Sequence, residues 1–261
     1  MTPESVAGVD VERQARPVFR LAFVAQLAVP EGADPRIFAR LQGGADDAAA
    51  FRGVFDTLDH APRFELHAVH ADRGEEIGLD YDAVVLGGSV ASVNDVLPWQ
   101  VGLASWLARW REIGRPLLGI CGGHQLMAQA MGGTVSRRAT GPFVGSRTAR
   151  MTVDGADHWL FAGLGPDPRF QFAHFDHVST MPEGGRVLAL GAETVAAADY
   201  GGGWVSVQFH PEVSCDRLAT LWYGLTDDRT AFEYLHGCER LIDNFLAYAV
   251  AATEENARSG A

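Results

Sequence analysis

Two periodicities of hydrophobic residues alternate along this chain. Apolar runs at residues 83–86 and 116–120 predict buried parallel strands, and each is followed closely by glycines, as strands that end before a functional loop often are. Between them, large apolar residues recur at helical spacing over residues 97–113 and predict a helix that packs on the sheet. The other predicted strands are 19–29, 64–70 and 204–209, and the other predicted helices are 35–58, interrupted at Gly43 and Gly44, 123–131 and 232–250. This alternation predicts an α/β fold with an open, mainly parallel sheet flanked by helices.

The domain organisation follows from the length of the chain and from its least regular segments. An α/β chain of 261 residues often forms one unit. No repeat or linker divides this sequence, so we expect a single domain over residues 18–250. Residues 134–191, rich in Gly and Pro, predict a loop-and-hairpin region within that domain. Residues 1–17 are predicted to be a flexible tail and residues 251–261 a disordered tail.

Charge and composition exclude several classes of function. The formal net charge is −12 at pH 7, which disfavours contact with a nucleic acid backbone. All 21 basic residues are arginine, so a P-loop lysine and a lysine Schiff base are excluded. Apolar runs are too short to cross a membrane, and residues 1–16 lack the apolar core of a secretory signal. We therefore expect a cytoplasmic protein that binds neither nucleic acid nor membrane.

One cysteine occupies a position suited to chemistry. The sequence contains 3 cysteines, and their odd number and wide spacing predict reduced thiols rather than disulfides or a zinc site. Cys121 lies between the strand at 116–120 and the helix at 123–131, where backbone N–H groups at the helix start favour a thiolate. Neighbouring glycines permit a sharp turn there. Cys121 is therefore a candidate nucleophile, and a buried structural thiol is the alternative.

A candidate base follows the predicted strand at 204–209. In His210-Pro211-Glu212, the proline holds its predecessor extended, and side chains two positions apart on an extended chain point the same way. The imidazole and the carboxylate can therefore touch. A histidine that is oriented by a carboxylate and lies beside a thiol is the arrangement of nucleophilic catalysis. Taken alone, a histidine and a glutamate at a strand end are more often surface residues.

These residues together resemble the class I, or triad, glutamine amidotransferases. The nucleophile motif of that family, G-x-C-x-G-x-Q, is matched completely by the segment "GICGGHQ" at residues 119–125. The second signature of the family, a strand that ends in F-H-P-E, is matched at residues 209–212. Residues 87–99 also resemble the oxyanion loop of stand-alone members that are similar to the amidotransferase domain of GMP synthase. The resemblance covers roughly residues 18–250 and implies a flavodoxin-like sheet.

The resemblance implies a role for each matched residue. Cys121 attacks the γ-carbonyl carbon and forms a thioester, His210 transfers the proton, and Glu212 orients His210. The substrate is glutamine or another γ-glutamyl amide, and ammonia passes to a synthetase, which here would be a separate chain. No cofactor and no metal are implied. The expected oxyanion-hole residues are Gly88 and Gly122, and the expected substrate-binding residues are Gln125, Ser89, His174 and Phe175.

Two departures from the family pattern leave the substrate open. Phe175 stands where relatives carry the glycine of an H-G-D segment, and Gly122 follows the nucleophile where close relatives often carry a bulky residue. Such changes are able to reshape the pocket for a substrate other than free glutamine. An autonomous hydrolase of γ-glutamyl peptides or conjugates is therefore one alternative function. A non-catalytic binding module on the same fold is the other.

Two further interpretations of the polar residues are disfavoured. Ser89 weakly resembles a serine nucleophile elbow, but Ala91 stands where that elbow carries glycine. His174, Asp176 and His177 contain metal-ligating groups, but their crowding leaves no second ligand pair. The same stretch matches the H-G-D segment of the family, which lies beside the substrate. Cys121 therefore remains the favoured nucleophile.

Overall fold

Strands and helices alternate through the first half of the protein, and short strands occupy much of the second half. The computed structural model describes residues 18–29, 34–39, 43–192 and 194–259. The strands are β1 (Phe19–Ala25), β2 (Phe64–His70), β3 (Ala83–Leu86), β4 (Leu117–Ile120), β5 (Thr134–Arg137), β6 (Phe143–Thr148), β7 (Arg150–Met151), β8 (Arg169–His174), β9 (Asp176–Thr180), β10 (Arg186–Gly191), β11 (Thr194–Asp199) and β12 (Trp204–Val207). The helices are α1 (Pro35–Phe38), α2 (Asp47–Phe55), α3 (Pro98–Ile113), α4 (Gly122–Ala130), α5 (Val153–Ala156), α6 (Cys215–Leu225) and α7 (Arg240–Ser259).

An 8-stranded sheet in the order β2-β1-β3-β4-β12-β11-β10-β7 forms the centre of the protein. The strands from β2 to β12 in this order pair in parallel, and β11, β10 and β7 extend the sheet by antiparallel pairing. The carboxyl ends of parallel strands meet at one edge, where such folds bind ligands. The segments that follow β3, β4 and β12 are therefore brought together there. The predicted fold class, a mainly parallel sheet flanked by helices, is confirmed.

Side chains on the two faces of the sheet form two hydrophobic clusters. In β1, Phe23 points to one face and stacks on Phe51 of α2, with ring centroids 4.2 Å apart. Helix α7 contributes to the same cluster. Val24 points to the other face, where α3 packs through residues that include Trp106 and Trp110. The sheet is thus covered on both faces, which explains why its central strands are continuously apolar.

Most predicted elements are confirmed, and two differences concern helices α6 and α7. Helix α6 was not predicted, although its apolar residues recur at helical spacing and Ser214 caps it by accepting a hydrogen bond from the Arg217 N–H at 3.3 Å. The helix expected from residue 232 begins at Arg240, because Gly237 adopts a left-handed backbone with φ 78°. The same helix continues to Ser259, so the disordered tail predicted from residue 251 is wrong up to that residue.

Two further predicted segments lie partly or wholly outside the residues that the structure describes. The helix predicted over 35–58 is two helices, α1 and α2, and residues 40–42 between them lie outside the described residues. The flexible tail predicted over residues 1–17 also lies outside them. Among the helices that the structure describes, none combines the length and apolarity needed to cross a membrane.

Candidate active site

Cys121 occupies a strained turn between β4 and α4. Its backbone angles are φ 49° and ψ −100°, a region that residues other than glycine rarely adopt. The turn is held from both sides: the Cys121 N–H donates to the Val207 carbonyl at 2.8 Å, and the Gly123 N–H donates to the Gly87 carbonyl at 3.1 Å. Strain of this kind is typical of a nucleophile elbow, which projects the reactive side chain at a strand end.

His210 and Glu212 come together beside this turn. The His210 Nδ1 and Glu212 Oε1 atoms are 2.7 Å apart, and both residues are buried. The His210 N–H donates to the Gln171 carbonyl at 2.9 Å, which ties the segment after β12 to β8. The imidazole also lies close enough to Cys121 for the sulfur to raise the pKa of the ring. The two sequence motifs, which lie about ninety residues apart in the numbering, therefore meet in one cluster.

The electrostatics of this cluster favour a charged imidazole. Burial alone would lower the pKa of His210, but the neighbouring Glu212 carboxylate and Cys121 sulfur outweigh it and raise that pKa well above its ordinary value. An imidazolium that faces a sulfur atom stabilises the thiolate form of that sulfur. This is how a histidine activates a cysteine nucleophile.

Gly88 and Gly122 lie beside the Cys121 and His210 cluster. A Cβ atom on Gly88 would lie 3.2 Å from His210 Cε1 and 3.7 Å from Cys121 Cβ. Gly122 is the first residue of α4, where N–H groups have no intrahelical acceptor. A Cβ atom there would lie 2.6 Å from the Ser89 nitrogen and 2.7 Å from Ser89 Cβ. The space beside Gly122 is therefore occupied by the Ser89 segment, and the glycine does not open a wider pocket.

A glutamine pair supports the cluster, and only one of its members was predicted. The Gln125 Nε2 group donates to the Asp176 carbonyl at 2.9 Å and to Gln208 Oε1 at 3.1 Å. The Gln208 Nε2 atom lies 3.6 Å from Cys121 Sγ. Gln208 was not singled out from the sequence, although a polar residue at the end of an apolar strand was the available signal. Because both of these acceptors belong to the protein, Gln125 positions Gln208 and the Asp176 segment.

The predicted substrate-binding residues lie in or beside the same cavity. His174 is buried, and its Nδ1 atom donates to the Asp176 carbonyl at 2.7 Å. Burial lowers the pKa of His174 to about 3, so its ring is neutral near pH 7. The Phe175 ring lies 5.0 Å from the Trp222 ring and 4.3 Å below the Arg137 guanidinium. Ser89 Oγ accepts a hydrogen bond from the Ala91 N–H at 3.2 Å. This bond stabilises the loop and does not activate Ser89 as a nucleophile.

These residues line a cavity of about 290 Å³ that has two chemically different sides. The polar side is formed by Asp176 and by the side chains that contact the Asp176 carboxylate. Its carboxylate accepts a hydrogen bond from Ser92 Oγ at 2.5 Å, and its Oδ1 lies 3.9 Å from Arg137 Nη1. The apolar wall is formed by side chains of α2 and α6, namely Phe51, Leu218, Leu221, Trp222 and Leu225. Cys121 and His210 line the same cavity.

The other two cysteines lie in different surroundings. Both are free thiols, as expected from their number and spacing. Burial raises the pKa of Cys215 and raises the pKa of Cys238 to about 11. Neither residue lines the cavity of Cys121, and both border a second cavity of about 220 Å³. Of the three thiols, Cys121 alone has a histidine partner among the described residues.

Comparisons with known sequences identify the family of this chain. The family model "Glutamine amidotransferase class-I" matches residues 58–221. The glutamine-hydrolyzing GMP synthase of Thermomicrobium roseum is 39% identical over 146 residues, which cover 55% of this chain and 25% of that protein. The chain thus spans about a quarter of the length of this relative. A glutamine-hydrolyzing GMP synthase subunit from Sulfurisphaera tokodaii is 35% identical over 140 residues, which cover 53% of this chain and 71% of that protein.

Solved structures show the same fold. A glutamine amidotransferase from Thermotoga maritima superimposes with a TM-score of 0.65 at 17% identity, covering 89% of this chain and 98% of that one. A glutamine amido transferase from Methylobacillus flagellatus gives a TM-score of 0.64 at 17% identity, covering 90% and 94%. Since the family model matches more than half of the residues, the chain belongs to the class I glutamine amidotransferase family.

Proposed function

We propose that this protein hydrolyses a γ-glutamyl amide through a thioester on Cys121. The observation that carries the proposal is the assembly of Cys121, His210 and Glu212 in one cavity, with His210 Nδ1 and Glu212 Oε1 2.7 Å apart. A thiol, a base that contacts it and a carboxylate that orients the base are the parts of a nucleophilic amide hydrolase. The assembled cluster argues against a non-catalytic binding module.

The reaction takes place in two halves. The Cys121 sulfur attacks the γ-carbonyl carbon, and the carbonyl oxygen becomes an oxyanion that backbone N–H groups near Gly88 and Gly122 stabilise. The carbon–nitrogen bond then breaks, and the leaving ammonia or amine takes a proton from His210. Water, deprotonated by His210, attacks the thioester, which releases glutamate and restores the thiol. Glu212 keeps the imidazole oriented in both halves.

Glutamine is the first candidate substrate, and a separate synthetase is the proposed acceptor of its ammonia. The relatives include proteins named as glutamine-hydrolyzing subunits of GMP synthase. By analogy, this chain would supply ammonia to a partner synthetase in the cytoplasm, where free thiols persist. An autonomous conjugate hydrolase is the second candidate, and the apolar wall of the cavity favours it.

The experiment that tests the thioester is covalent trapping. The purified protein is treated with an electrophilic glutamine analogue, and the adduct is located by peptide mass spectrometry. We expect the adduct on Cys121 and not on Cys215 or Cys238, whose thiols lack a histidine partner within the described residues. Glutamate release from glutamine and from γ-glutamyl amides is measured in parallel, with Cys121→Ala as the inactive protein and Cys238→Ala as the matched control.

Three results would overturn the proposal. An adduct that maps to Cys215 would move the nucleophile out of the cavity. Turnover that persists in Cys121→Ala would exclude a thioester on this residue. Absence of turnover in the wild-type chain, with every amide tested, would instead favour the non-catalytic module.

A further inference from the structure

The apolar wall of the active-site cavity has no role in the chemistry of the triad. It consists of one aromatic residue of α2, Phe51, together with four residues of α6 that recur at helical spacing, from Leu218 to Leu225. Phe51, Leu218, Leu221 and Trp222 are all buried, yet they line the cavity that also contains Cys121. The Phe175 ring extends this surface, because it packs 5.0 Å from the Trp222 ring.

The γ-glutamyl group itself does not match this wall. That group carries an ammonium and a carboxylate, and burying either against aliphatic and aromatic side chains costs free energy unless it is paired. The polar side of the cavity, with Ser92, Arg137 and Asp176, offers charged and hydrogen-bonding partners. A γ-glutamyl substrate therefore places its amino acid end on the polar side and its scissile amide at Cys121. Whatever is attached beyond the amide nitrogen then faces the apolar wall.

Two ionisable side chains, one from α2 and one from α6, line the cavity together with the wall. Asp47 lines the cavity, and burial together with the nearby Asp72 raises its pKa to about 7. Arg217 also lines the cavity, and burial lowers its pKa, while Asp47 and Glu212 act in the opposite direction. The Asp47 Oδ2 atom is packed near Gly87, where a Cβ atom would lie 3.5 Å from it. Beside these two groups, Phe51, Leu218, Leu221 and Leu225 present hydrocarbon side chains to the cavity.

We propose that the substrate is a γ-glutamyl amide of an apolar amine, whose hydrocarbon part is buried against Phe51, Leu221 and Trp222. This inference rests on the proposed function, because it concerns the leaving group of the same reaction. The Cys121 sulfur bonds to the γ-carbonyl carbon, the carbon–nitrogen bond breaks, and the amine leaves with a proton from His210. Water then releases glutamate. Free glutamine, whose leaving group is ammonia, leaves the wall without a ligand.

A homologous series of substrates tests the proposal. The wild-type chain is assayed with glutamine and with γ-glutamyl amides of methylamine, n-butylamine, n-hexylamine and 2-phenylethylamine. Glutamate is the common product, so one readout serves the whole series. We expect kcat/KM to rise with the length of the hydrocarbon by about fourfold for each methylene that becomes buried, until the wall is covered.

Variants of the wall test whether its side chains cause the preference for longer hydrocarbon leaving groups. Leu221→Ala is expected to lower kcat/KM for the n-hexylamide roughly 10-fold more than for glutamine, because it removes hydrocarbon contacts with the longer leaving group. Val153, which is 93% exposed and lies outside the cavity, provides the control Val153→Ala, for which both values should be unchanged. If Leu221→Ala does not fold, as judged by circular dichroism, the wild-type series decides alone.

The outcomes separate this inference from the proposed function. Cys121-dependent turnover that rises along the series supports both. Turnover of glutamine with a flat or falling response to hydrocarbon length overturns the apolar-amine substrate and leaves the thioester hydrolase intact. Absence of Cys121-dependent turnover with every amide overturns the proposed function and the inference with it.

Discussion

The polar side and the apolar wall of the cavity are built in different ways. The polar side and the triad come from segments at strand ends, where Cys121, His210 and Asp176 follow or begin strands. The apolar wall comes from Phe51 of α2 and from α6, which are more than 150 residues apart in the numbering. One side thus carries short motifs that are recognisable in the sequence, and the other is assembled by packing. The residues proposed for the reaction and the residues proposed for substrate choice therefore lie on different segments, and each set can be tested by itself.

The largest expected effect lies on the chemical side, at Glu212. Glu212→Gln removes the charge that raises the pKa of His210, and we expect kcat to fall roughly 10²- to 10⁴-fold for every amide, since orienting carboxylates contribute at about this scale. Because the raised pKa keeps His210 protonated to higher pH, loss of the carboxylate should move the alkaline limb of the kcat/KM profile to lower pH. A pH–rate profile of both proteins measures this.

The control for this prediction is the ratio of the activities with glutamine and with a γ-glutamyl conjugate. Glu212 contacts His210 and is not part of the apolar wall, so glutamine and a γ-glutamyl conjugate should lose activity in equal proportion. An alkaline limb that stays in place would show that Glu212 does not set the protonation of His210.

A smaller effect is expected at Phe175, where the two sides of the cavity meet. Phe175→Gly removes the ring that lies between Trp222 and Arg137 and leaves glycine between His174 and Asp176. We expect a lower KM for free glutamine and a change of roughly 10-fold in the preference between substrates, as is typical for one apolar contact. Values of kcat/KM for glutamine and a γ-glutamyl dipeptide are compared in both proteins. An unchanged ratio would contradict a role for the ring in substrate choice.

The remaining effect concerns stability rather than activity and belongs to the polar side. His174 has a pKa of about 3 in the folded protein, against about 6.5 for an exposed histidine. The unfolded chain therefore binds the extra proton between these values, so the free energy of unfolding falls as pH falls from about 6.5 towards 3. Between pH 7 and pH 5 this residue should account for a loss of about 2 kcal/mol.

Replacement with asparagine isolates this contribution. His174→Asn keeps a donor for the Asp176 carbonyl but cannot gain the proton. Urea denaturation at pH 7 and pH 5 should show a smaller loss of stability in the variant than in the wild type. Equal losses in the two proteins would mean that His174 is not held neutral by burial.

The sequence determined the parts of this protein that depend on local pattern. Period and composition predicted the strands that end at Leu86 and Ile120 and the helix that ends at Ile113, because a buried parallel strand must be apolar and a covering helix must have an apolar face. Contiguous motifs likewise singled out Cys121 and His210, since a nucleophile elbow and an oriented base each require specific neighbours in sequence.

Only the tertiary structure decided how the cavity is enclosed. Gln208 contacts the thiol because β12 lies next to β4, and α6 lines the cavity because the fold packs this helix against α1 and β8. The sequence suggested that Gly122 reshapes the pocket, but the space beside this glycine is filled by Ser89, which lies thirty-three positions earlier in the numbering. Such contacts depend on which segments the fold brings together. Local periodicity does not encode these contacts. For that reason the sequence could single out candidate residues for the chemistry, whereas the shape of the cavity was not predictable from it.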